Sequence, residues 1–322
     1  MRAVAGATVT VAVVSWNTRD LLERCLESLR ADAHAGLAEV WVVDNASGDG
    51  SAELVGERFP WVRLIASEEN LGFGAAVNLV AERTATEWLA PANADVRLVP
   101  GALRAMVEEG ARHPEAGAIA PRLVLPDGAT QTSVHPFPSL PFTLAYLAGL
   151  TRLSLAAARH WRVGRGFDPE LAQEVPWAVG AFLLVRRAAW DQVGGFDPEQ
   201  WMYAEDLDLG WRLARAGWRT RYLPAARVTH DESAATTRAW GAERYDRWHL
   251  STYRWLARRR GGSYARLIAT VNVGGFLGRA AALWPLAVLG HRGAADARRA
   301  ALDAARAHST GLRSRRAHTA VR

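Results

Sequence analysis

The sequence predicts a doubly wound α/β domain with a mostly parallel sheet, followed by a helical C-terminal appendage. Short apolar runs rich in β-branched residues, each typical of a strand buried on both faces, alternate with segments of helical periodicity. Polar residues gather where these runs end, and sheets of this class bind ligands beyond the carboxyl ends of their strands. The pattern therefore predicts the fold class and the ligand-binding edge together.

The first four strands are predicted at residues 8–15, 40–44, 62–66 and from 87 onward. The first helix follows Asn17 and carries apolar residues at helical spacing, namely Leu21, Leu22, Cys25, Leu26 and Leu29. The second helix ends near Phe59, and the third follows a glycine-rich loop at 68–74 and ends near Arg83. This alternation of strand and helix favours a parallel sheet.

Less regular patterns predict the remaining elements. Asp127-Gly128 predicts a hairpin turn between strands at 118–125 and 130–134, and three prolines predict an irregular loop at 135–141. The later elements are predicted as a helix at 143–161, a strand at 177–186, a helix at 203–216, a strand at 220–223 and helices alone beyond 236. We expect one domain over 1–235, a helical, membrane-associated region over 236–290 and a basic, flexible tail over 291–322.

Composition narrows the functional classes. Apolar residues make up 49% of 322, enough for a large core, so extensive disorder is excluded. The single cysteine, Cys25, allows no intrachain disulfide. A signal peptide would carry an apolar segment separate from the fold. Here the apolar run near the N-terminus is itself the first strand, so we expect a cytoplasmic protein.

The net charge of the chain is +6, and residues 291–322, which hold eight arginines and two aspartates, account for all of it. The fold region is therefore neutral, and we expect no nucleic-acid partner.

The C-terminal part of the sequence has two interpretations. Residues 267–289 are apolar, but Arg279, several glycines and Pro285 interrupt them, which favours an interfacial helix pair over a membrane span. A soluble helical cap or a dimer contact is the alternative. The basic tail that follows fits either an anionic membrane surface or solvated disorder.

Acidic and amide side chains mark candidate sites at the ends of strands. Asp44 ends a buried strand, where a carboxylate needs a partner such as a nucleobase edge or ribose hydroxyls. Asn93 and Asp95 lie two residues apart on an extended segment, an arrangement that suits a hard divalent cation bound to phosphates. The alternatives are a helix cap for Asp44 and an ordinary turn for Asn93 and Asp95.

A third acidic cluster starts a predicted helix. Glu205, Asp206 and Asp208 fall within four residues, after an aromatic stretch. A helix start favours carboxylates in any protein, but mutual repulsion also poises such a cluster to accept a proton. His230 follows the last predicted strand, where a core or surface histidine is the simpler interpretation. No G-x-G-x-x-G follows the first strand, which counts against a dehydrogenase.

Seven segments in fixed order resemble family 2 glycosyltransferases of the GT-A fold, most closely the rhamnosyltransferase-like branch. The resemblance covers roughly residues 8–235. It is carried by VSWNTRDLLERCLESL, VVDNASGDGS, ENLGFGAAVN, APANADV, VGAFLLVRRAAWDQVGGFDPE, MYAEDLDLGWRLARAGW and VTH. It implies an inverting enzyme that transfers a sugar, best matched by L-rhamnose from dTDP-L-rhamnose, with UDP-galactofuranose and UDP-GlcNAc as alternative donors. The apolar stretch at 267–289 and the basic tail suggest a lipid-linked acceptor, such as a polyprenyl-diphosphate glycan, at the inner face of the membrane.

The resemblance also implies roles for individual residues. Asp206, beside Glu205, matches the catalytic base, and Asp95 with His230 would hold Mg²⁺ or Mn²⁺. The implied nucleotide-sugar site comprises Ser15, Asn17, Asp44, Asn70, Gly72, Gly74, Asn93 and Asp95, and Gly180-Ala181 would line the acceptor side. One departure is that Asn93 stands where the family often has the first Asp of its D-x-D motif. A non-catalytic nucleotide-sugar or glycan-binding relative is the alternative function.

Overall fold

The computed structural model describes residues 8–148, 167–231, 241 and 243–313. These residues fall into two compact units, one within 1–137 and 168–239, the other within 138–167 and 240–322. The predicted boundaries after 235 and 290 stay predictions. The segment at 138–148, which the sequence pattern placed in the first domain, belongs to the unit of the C-terminal helices.

The described residues form eleven strands and ten α-helices. The strands are β1 Val9–Ser15, β2 Ala38–Asp44, β3 Arg63–Ala66, β4 Trp88–Asn93, β5 Val96–Leu98, β6 Ala116–Val124, β7 Val134–His135, β8 Gln173–Val175, β9 Trp177–Ala178, β10 Leu184–Arg186 and β11 Arg219–His230. The helices are α1 Arg19–His34, α2 Ser51–Arg58, α3 Phe73–Ala81, α4 Ala102–Arg112, α5 Leu140–Leu147, α6 Arg187–Val193, α7 Glu205–Arg215, α8 Glu243–Arg260, α9 Gly262–Val288 and α10 Ala294–Ser309, with a 3₁₀ turn at Thr310–Leu312.

The first unit is built on a nine-stranded sheet. Its order is β3-β2-β1-β4-β10-β6-β11-β5, with β8 also paired to β11, and β7 and β9 pair separately. The strands β3, β2, β1 and β4 are parallel, as are β6 and β11, whereas β10 runs antiparallel to β4 and β6. The predicted α/β class with a mostly parallel sheet is confirmed.

A fully buried tryptophan of the first unit, Trp88, packs between a glycine and an arginine. Trp88 is fully buried, and the guanidinium of Arg186 lies 4.3 Å from its ring centroid. The same guanidinium donates hydrogen bonds to the carbonyl oxygens of Gly110 (2.7 Å) and Ala116 (3.0 Å). A Cβ added at Gly110 would overlap the Trp88 ring, so this glycine lets α4 approach β4.

Three predicted elements differ from the structure. The 130–134 arm of the hairpin is reduced to one bridge between Val124 and Thr130, because the chain turns away and β7 pairs with β9. The predicted strand at 177–186 is broken into β9 and β10. Between these two strands the chain runs beside the end of β4, where Asn93 N donates to Ala181 O at 2.9 Å. The predicted strand at 220–223 extends to His230 by pairing with β6 and β5.

The second unit is helical in its described residues. The predicted helix at 143–161 is described only through Leu147, as part of α5, since 149–166 lie outside the described residues. The predicted flexible tail contains α10 over 294–309. This helix forms because Ala301 and Ala305 bury a small-residue stripe against Phe276 and Ala280 of α9. Residues 314–322 lie outside the described residues.

The contact between Gly110 and Trp88 predicts a stability change. Gly110→Ala should lower the free energy of unfolding by about 1–3 kcal/mol, because the added methyl overfills a closed core. Gly56→Ala is the matched control, since α2 leaves open space around Gly56 and alanine favours a helix by up to about 1 kcal/mol. Urea unfolding measures both variants. Equal stability of Gly110→Ala and the wild type would contradict the packing argument.

Candidate active site

The carboxyl ends of three parallel strands meet at one edge of the sheet. Ser15 at the end of β1 lies in register with Asp44 at the end of β2, and Val14 lies in register with Asn93 of β4. Predicted site residues 29 and 78 positions away from Ser15 in sequence are thereby brought side by side. The structure therefore places these polar residues at one edge, as the strand pattern predicted, and ligand binding at this edge stays a prediction.

The end of β2 presents two acceptor atoms that lack donors. Asp44 is buried, and its Oδ2 accepts a hydrogen bond from Ser47 N at 3.1 Å, whereas its Oδ1 is buried without a partner. The side-chain oxygen of Asn45 is likewise buried and unpaired, while its nitrogen donates to Gly72 O at 3.2 Å. A buried unpaired acceptor costs about 1–3 kcal/mol. The geometry therefore favours a ligand that brings N–H or O–H donors.

The side chain of Asn17 joins two loops. Its Oδ1 accepts from Gly48 N at 2.8 Å, and its backbone N donates to Ser47 Oγ at 2.9 Å. The residue adopts a left-handed backbone with φ of 53°, which asparagine tolerates better than most residues. The predicted nucleotide contacts of Ser15 and Asn17 stay predictions, and the structure adds a scaffolding role for Asn17.

Two positions of the glycine-rich loop lie so close to neighbouring residues that a side chain would not fit without a shift. Gly72 has φ of 79°, and a Cβ there would overlap the backbone carbonyl of Trp201. A Cβ at Gly74 would lie 3.0 Å from Phe196 Cβ. Asn70 shapes the loop by accepting from Gly72 N at 2.9 Å, and its carbonyl accepts from the Trp201 indole at 3.3 Å. The close backbone approach that was predicted at both glycines is thus made to neighbouring residues of the protein. A close approach of the same backbone to a ligand stays a prediction.

Asp95 and His230 face each other in a buried position. His230 Nε2 lies 3.3 Å from Asp95 Oδ1, yet this oxygen accepts no hydrogen bond. Both residues are fixed by pairing of β5 with β11, where His230 is opposite Val96. A carboxylate and an imidazole with no hydrogen bond between them fit a divalent cation that also binds phosphates. Across the described ranges, no three His, Cys, Asp or Glu side chains gather into a metal cluster.

The start of α7 holds two adjacent carboxyl groups, a buried Glu205 and a half-buried Asp206. Tyr203 and Ala204 both have positive φ, 61° and 63°, so the chain turns sharply before the helix begins at Glu205. Asp206 accepts hydrogen bonds from Gly180 N at 3.0 Å and from Leu207 N at 2.7 Å. Gly180 and Ala181 therefore connect Asp206 with the end of β4, where Asn93 N donates to Ala181 O.

Burial sets the protonation of this pair. Burial, and next the charge of Asp206, raises the pKa of Glu205 to about 8, and its Oε2 has no hydrogen-bond partner. Burial also raises the pKa of Asp206, but the hydrogen bonds from Gly180 and Leu207 act in the opposite direction. Two adjacent acids in different surroundings favour a protonated Glu205 beside an ionised Asp206.

The third acid of the cluster is structural. Asp208 is fully buried and accepts from Arg212 Nε at 2.7 Å. Arg212 also donates to the carbonyl oxygens of Val193 (2.6 Å) and Gly195 (2.7 Å), so it ties α7 to the end of α6. The position of Arg212 sets Asp208 apart from the other two acids of the cluster.

Sequence reasoning missed Gln131, whose Oε1 lies 2.8 Å from His230 Nδ1. No motif marks Gln131, which comes shortly after the Asp127-Gly128 turn and lies 99 positions before His230 in the sequence. It also missed the unpaired oxygen of Asn45, which adjoins Asp44 in the VVDNASGDGS segment. An amide next to a buried strand-end carboxylate was the available signal for Asn45.

Comparisons with known proteins give consistent likenesses. The Glycosyl transferase family 2 model matches residues 10–192, and the Glycosyl transferase family group 2 model matches 140–290. The chain is 35% identical over 279 residues to the N-acetylglucosaminyl-diphospho-decaprenol L-rhamnosyltransferase of Mycobacterium tuberculosis, covering 78% of this chain and 85% of that protein.

Solved structures share the fold at low sequence identity. The mannosyltransferase PcManGT from Pyrobaculum calidifontis, in complex with GDP-Man and Mn²⁺, aligns with a TM-score of 0.62 at 20% identity, covering 94% of this chain and 85% of that one. GalNAc-T7 with UDP, GalNAc and Mn²⁺ aligns with a TM-score of 0.52 at 16% identity, covering 70% of this chain and 44% of that one. Both neighbours were crystallised with Mn²⁺.

The buried Glu205 predicts a pH-dependent stability. Its folded pKa of about 8 exceeds the ordinary 4.5, so the folded chain keeps a proton that the unfolded chain loses in that window. The contribution of this group to stability therefore falls as pH rises from 4.5 to 8. Glu205→Gln cannot ionise and should gain on the order of 1–3 kcal/mol over wild type between pH 5 and 8.

Thermal unfolding across this pH range measures the difference between Glu205→Gln and wild type. The same exchange at Glu57, which is exposed on α2, is the control. A stability difference that stays constant with pH would show that Glu205 does not titrate as described.

Proposed function

The chain belongs to glycosyl transferase family 2, and from this premise we propose that it transfers L-rhamnose from dTDP-L-rhamnose to a polyprenyl-diphosphate-linked glycan, with inversion at the sugar. The observation that carries the proposal is the likeness to the mycobacterial rhamnosyltransferase, which extends over 85% of that protein. That relative's name specifies an N-acetylglucosaminyl-diphospho-decaprenol acceptor. An acceptor of this class, in cell-wall or surface-polysaccharide synthesis, is what we assign to this chain.

The donor would bind at the carboxyl edge of the sheet. The unpaired oxygens of Asp44 and Asn45 supply acceptors for the N–H and O–H groups of a nucleoside. The side chains of Asp95 and His230 would hold Mg²⁺ or Mn²⁺ against the diphosphate, and Asn93 lies two positions before Asp95 in the chain. When bound, the ion supplies positive charge that stabilises the leaving diphosphate.

Asp206 is the proposed catalytic base. The hydrogen bonds from Gly180 N and Leu207 N favour its ionised form and fix its carboxylate. The acceptor hydroxyl would attack C1 of the sugar opposite the diphosphate, and Asp206 would take the hydroxyl proton as the new C–O bond forms. One displacement inverts the configuration at C1. Glu205, beside it and protonated, keeps a second negative charge out of this buried position.

The role of Asp206 predicts a separation of binding from turnover. Asp206→Asn should lower kcat by about 10²–10⁴-fold, the usual contribution of a positioned base, because the amide cannot accept the proton. Affinity for the donor should change little, since we place Asp206 on the acceptor side of the sugar. Transfer and donor hydrolysis across dTDP- and UDP-sugars measure kcat, and calorimetry measures donor affinity.

The control for Asp206→Asn is Asp191→Asn, the same exchange at an exposed position of α6. Near-normal kcat in Asp206→Asn would overturn the assignment of the base. An inactive wild type that still binds the donor would instead favour a non-catalytic binding protein.

The second unit carries an apolar surface that suits a membrane interface. α9 is the one helix of the described residues that is long and apolar enough to cross a membrane by length and composition. Its exposed side includes Leu277, Trp284 (59% exposed) and Val288 (68% exposed), and Arg279 is half-buried over the Phe276 ring. Basic side chains flank this surface, at Arg258 and Arg260 before it and Arg292 after it. We assign it to peripheral binding on an anionic inner membrane face, where a polyprenyl acceptor resides.

The proposed membrane surface predicts a loss of vesicle binding. Trp284→Glu with Val288→Glu should weaken binding to anionic vesicles at least about tenfold, because burial of each side chain contributes about 1.5–3 kcal/mol. Leu171→Glu is the matched control, since Leu171 is 59% exposed in the other unit. Flotation with anionic and zwitterionic vesicles measures the binding. Unchanged flotation of the double variant would contradict this surface.

A further inference from the structure

We propose that Gln131 selects the tautomer of His230 and thereby presents the Nε2 lone pair of this histidine to a divalent cation. The inference deepens the proposed function and rests on it, because the cation would be the ion bound with the donor diphosphate. Gln131 is a positioning residue: it acts through His230 and would not contact the ion.

The hydrogen bond between the two side chains determines where the imidazole carries its proton. Gln131 Oε1 lies 2.8 Å from His230 Nδ1, and both residues are buried. A carbonyl oxygen has no proton to donate, so Nδ1 must donate in this contact. A neutral imidazole protonated at Nδ1 has an unprotonated Nε2. The amide therefore favours one tautomer, the one whose lone pair lies on Nε2.

The opposite side of the ring shows why this tautomer matters. Nε2 lies 3.3 Å from Asp95 Oδ1, and that oxygen is buried and accepts no hydrogen bond. A hydrogen bond between them would need an Nε2–H group that donates to Oδ1, and Oδ1 accepts none. Two acceptor atoms thus face each other in a buried position, and a shared cation would satisfy both.

The backbone holds all three residues in place. Gln131 N donates to Leu123 O at 2.9 Å, which anchors the residue beside β6. Asp95 O accepts from Asp231 N at 3.0 Å, one residue beyond His230. The charged groups nearest this pair along the chain are Arg97 and Asp231, which lie 3.5 Å apart and offset each other. The arrangement is therefore set by the sheet rather than by flexible loops.

The test compares two exchanges at the same position. Gln131→Met keeps the length of the side chain but removes the acceptor, whereas Gln131→Glu keeps an acceptor oxygen. Gln173→Met is the control, because this glutamine donates only to backbone carbonyls beside β8. Mn²⁺ affinity in the presence of dTDP is measured from the electron paramagnetic resonance signal of free Mn²⁺. Urea unfolding of each variant separates loss of fold from loss of the site.

We expect Gln131→Met to weaken Mn²⁺ binding about 10–100-fold, as removal of a residue that orients a metal ligand does, and Gln131→Glu to restore most of it. Nitrogen-15 spectra of the metal-free protein report the tautomer directly, with the His230 signals identified by their loss in His230→Gln. Nε2 should be unprotonated in the wild type and partly protonated in Gln131→Met. A structural role alone would not move this signature.

Two results would overturn the inference on Gln131. One is a wild-type His230 protonated at Nε2, and the other is a Gln131→Met variant with unchanged tautomer and Mn²⁺ affinity. Failure of the proposed metal site looks different: the wild type itself would bind Mn²⁺ no better than Asp95→Ala or His230→Gln. The two failures are therefore distinguishable within one set of titrations.

Discussion

The parallel register of β1 with β2 and β4 is the constraint on which the candidate site depends. This register sets Ser15 against Asp44 and Val14 against Asn93, so the polar residues that follow each strand share one edge. A shift by one residue would turn every side chain of a strand to the opposite face. The buried valines of β1 and β2 make such a shift costly, because they would exchange places with Thr10 and Glu39. Core packing therefore positions the chemistry.

Among the described residues, the buried side-chain oxygens without hydrogen-bond partners lie where the ligand is proposed to bind. Oxygens of Asp44, Asn45, Asp95 and Glu205 are buried without hydrogen-bond partners. Each such atom costs about 1–3 kcal/mol in the absence of a donor, so the unliganded site is held by the stability of the surrounding sheet. Charges that serve only the fold are paired instead, as in the contact of Asp208 with Arg212. An unpaired buried oxygen therefore marks a candidate ligand contact, whereas Asp206, the proposed base, is held by backbone donors.

Strand-end and helix-start patterns were sufficient to single out several residues of the candidate site. Asp44 and Asp95 were predicted as candidates because each follows an apolar run, and Asp206 because it begins a helix after an aromatic stretch. Asp208 was indistinguishable from Asp206 by these criteria. Gln131 could not be predicted, because its role depends on a contact with a histidine 99 residues away. A local pattern carries no information about such a partner.

The sequence by itself determined the alternation of strands and helices over the first hundred residues, the sheet edge at which polar residues gather, and the family to which the chain belongs. These features rest on periodicity and on motifs read over a few neighbouring residues. Only the tertiary structure decided that 177–186 divides between two sheets, that β11 continues to His230, and that Gln131 and Asp95 lie on opposite sides of its imidazole ring. The physical reason is that hydrogen bonds between distant strands select one arrangement among several that local propensity allows equally.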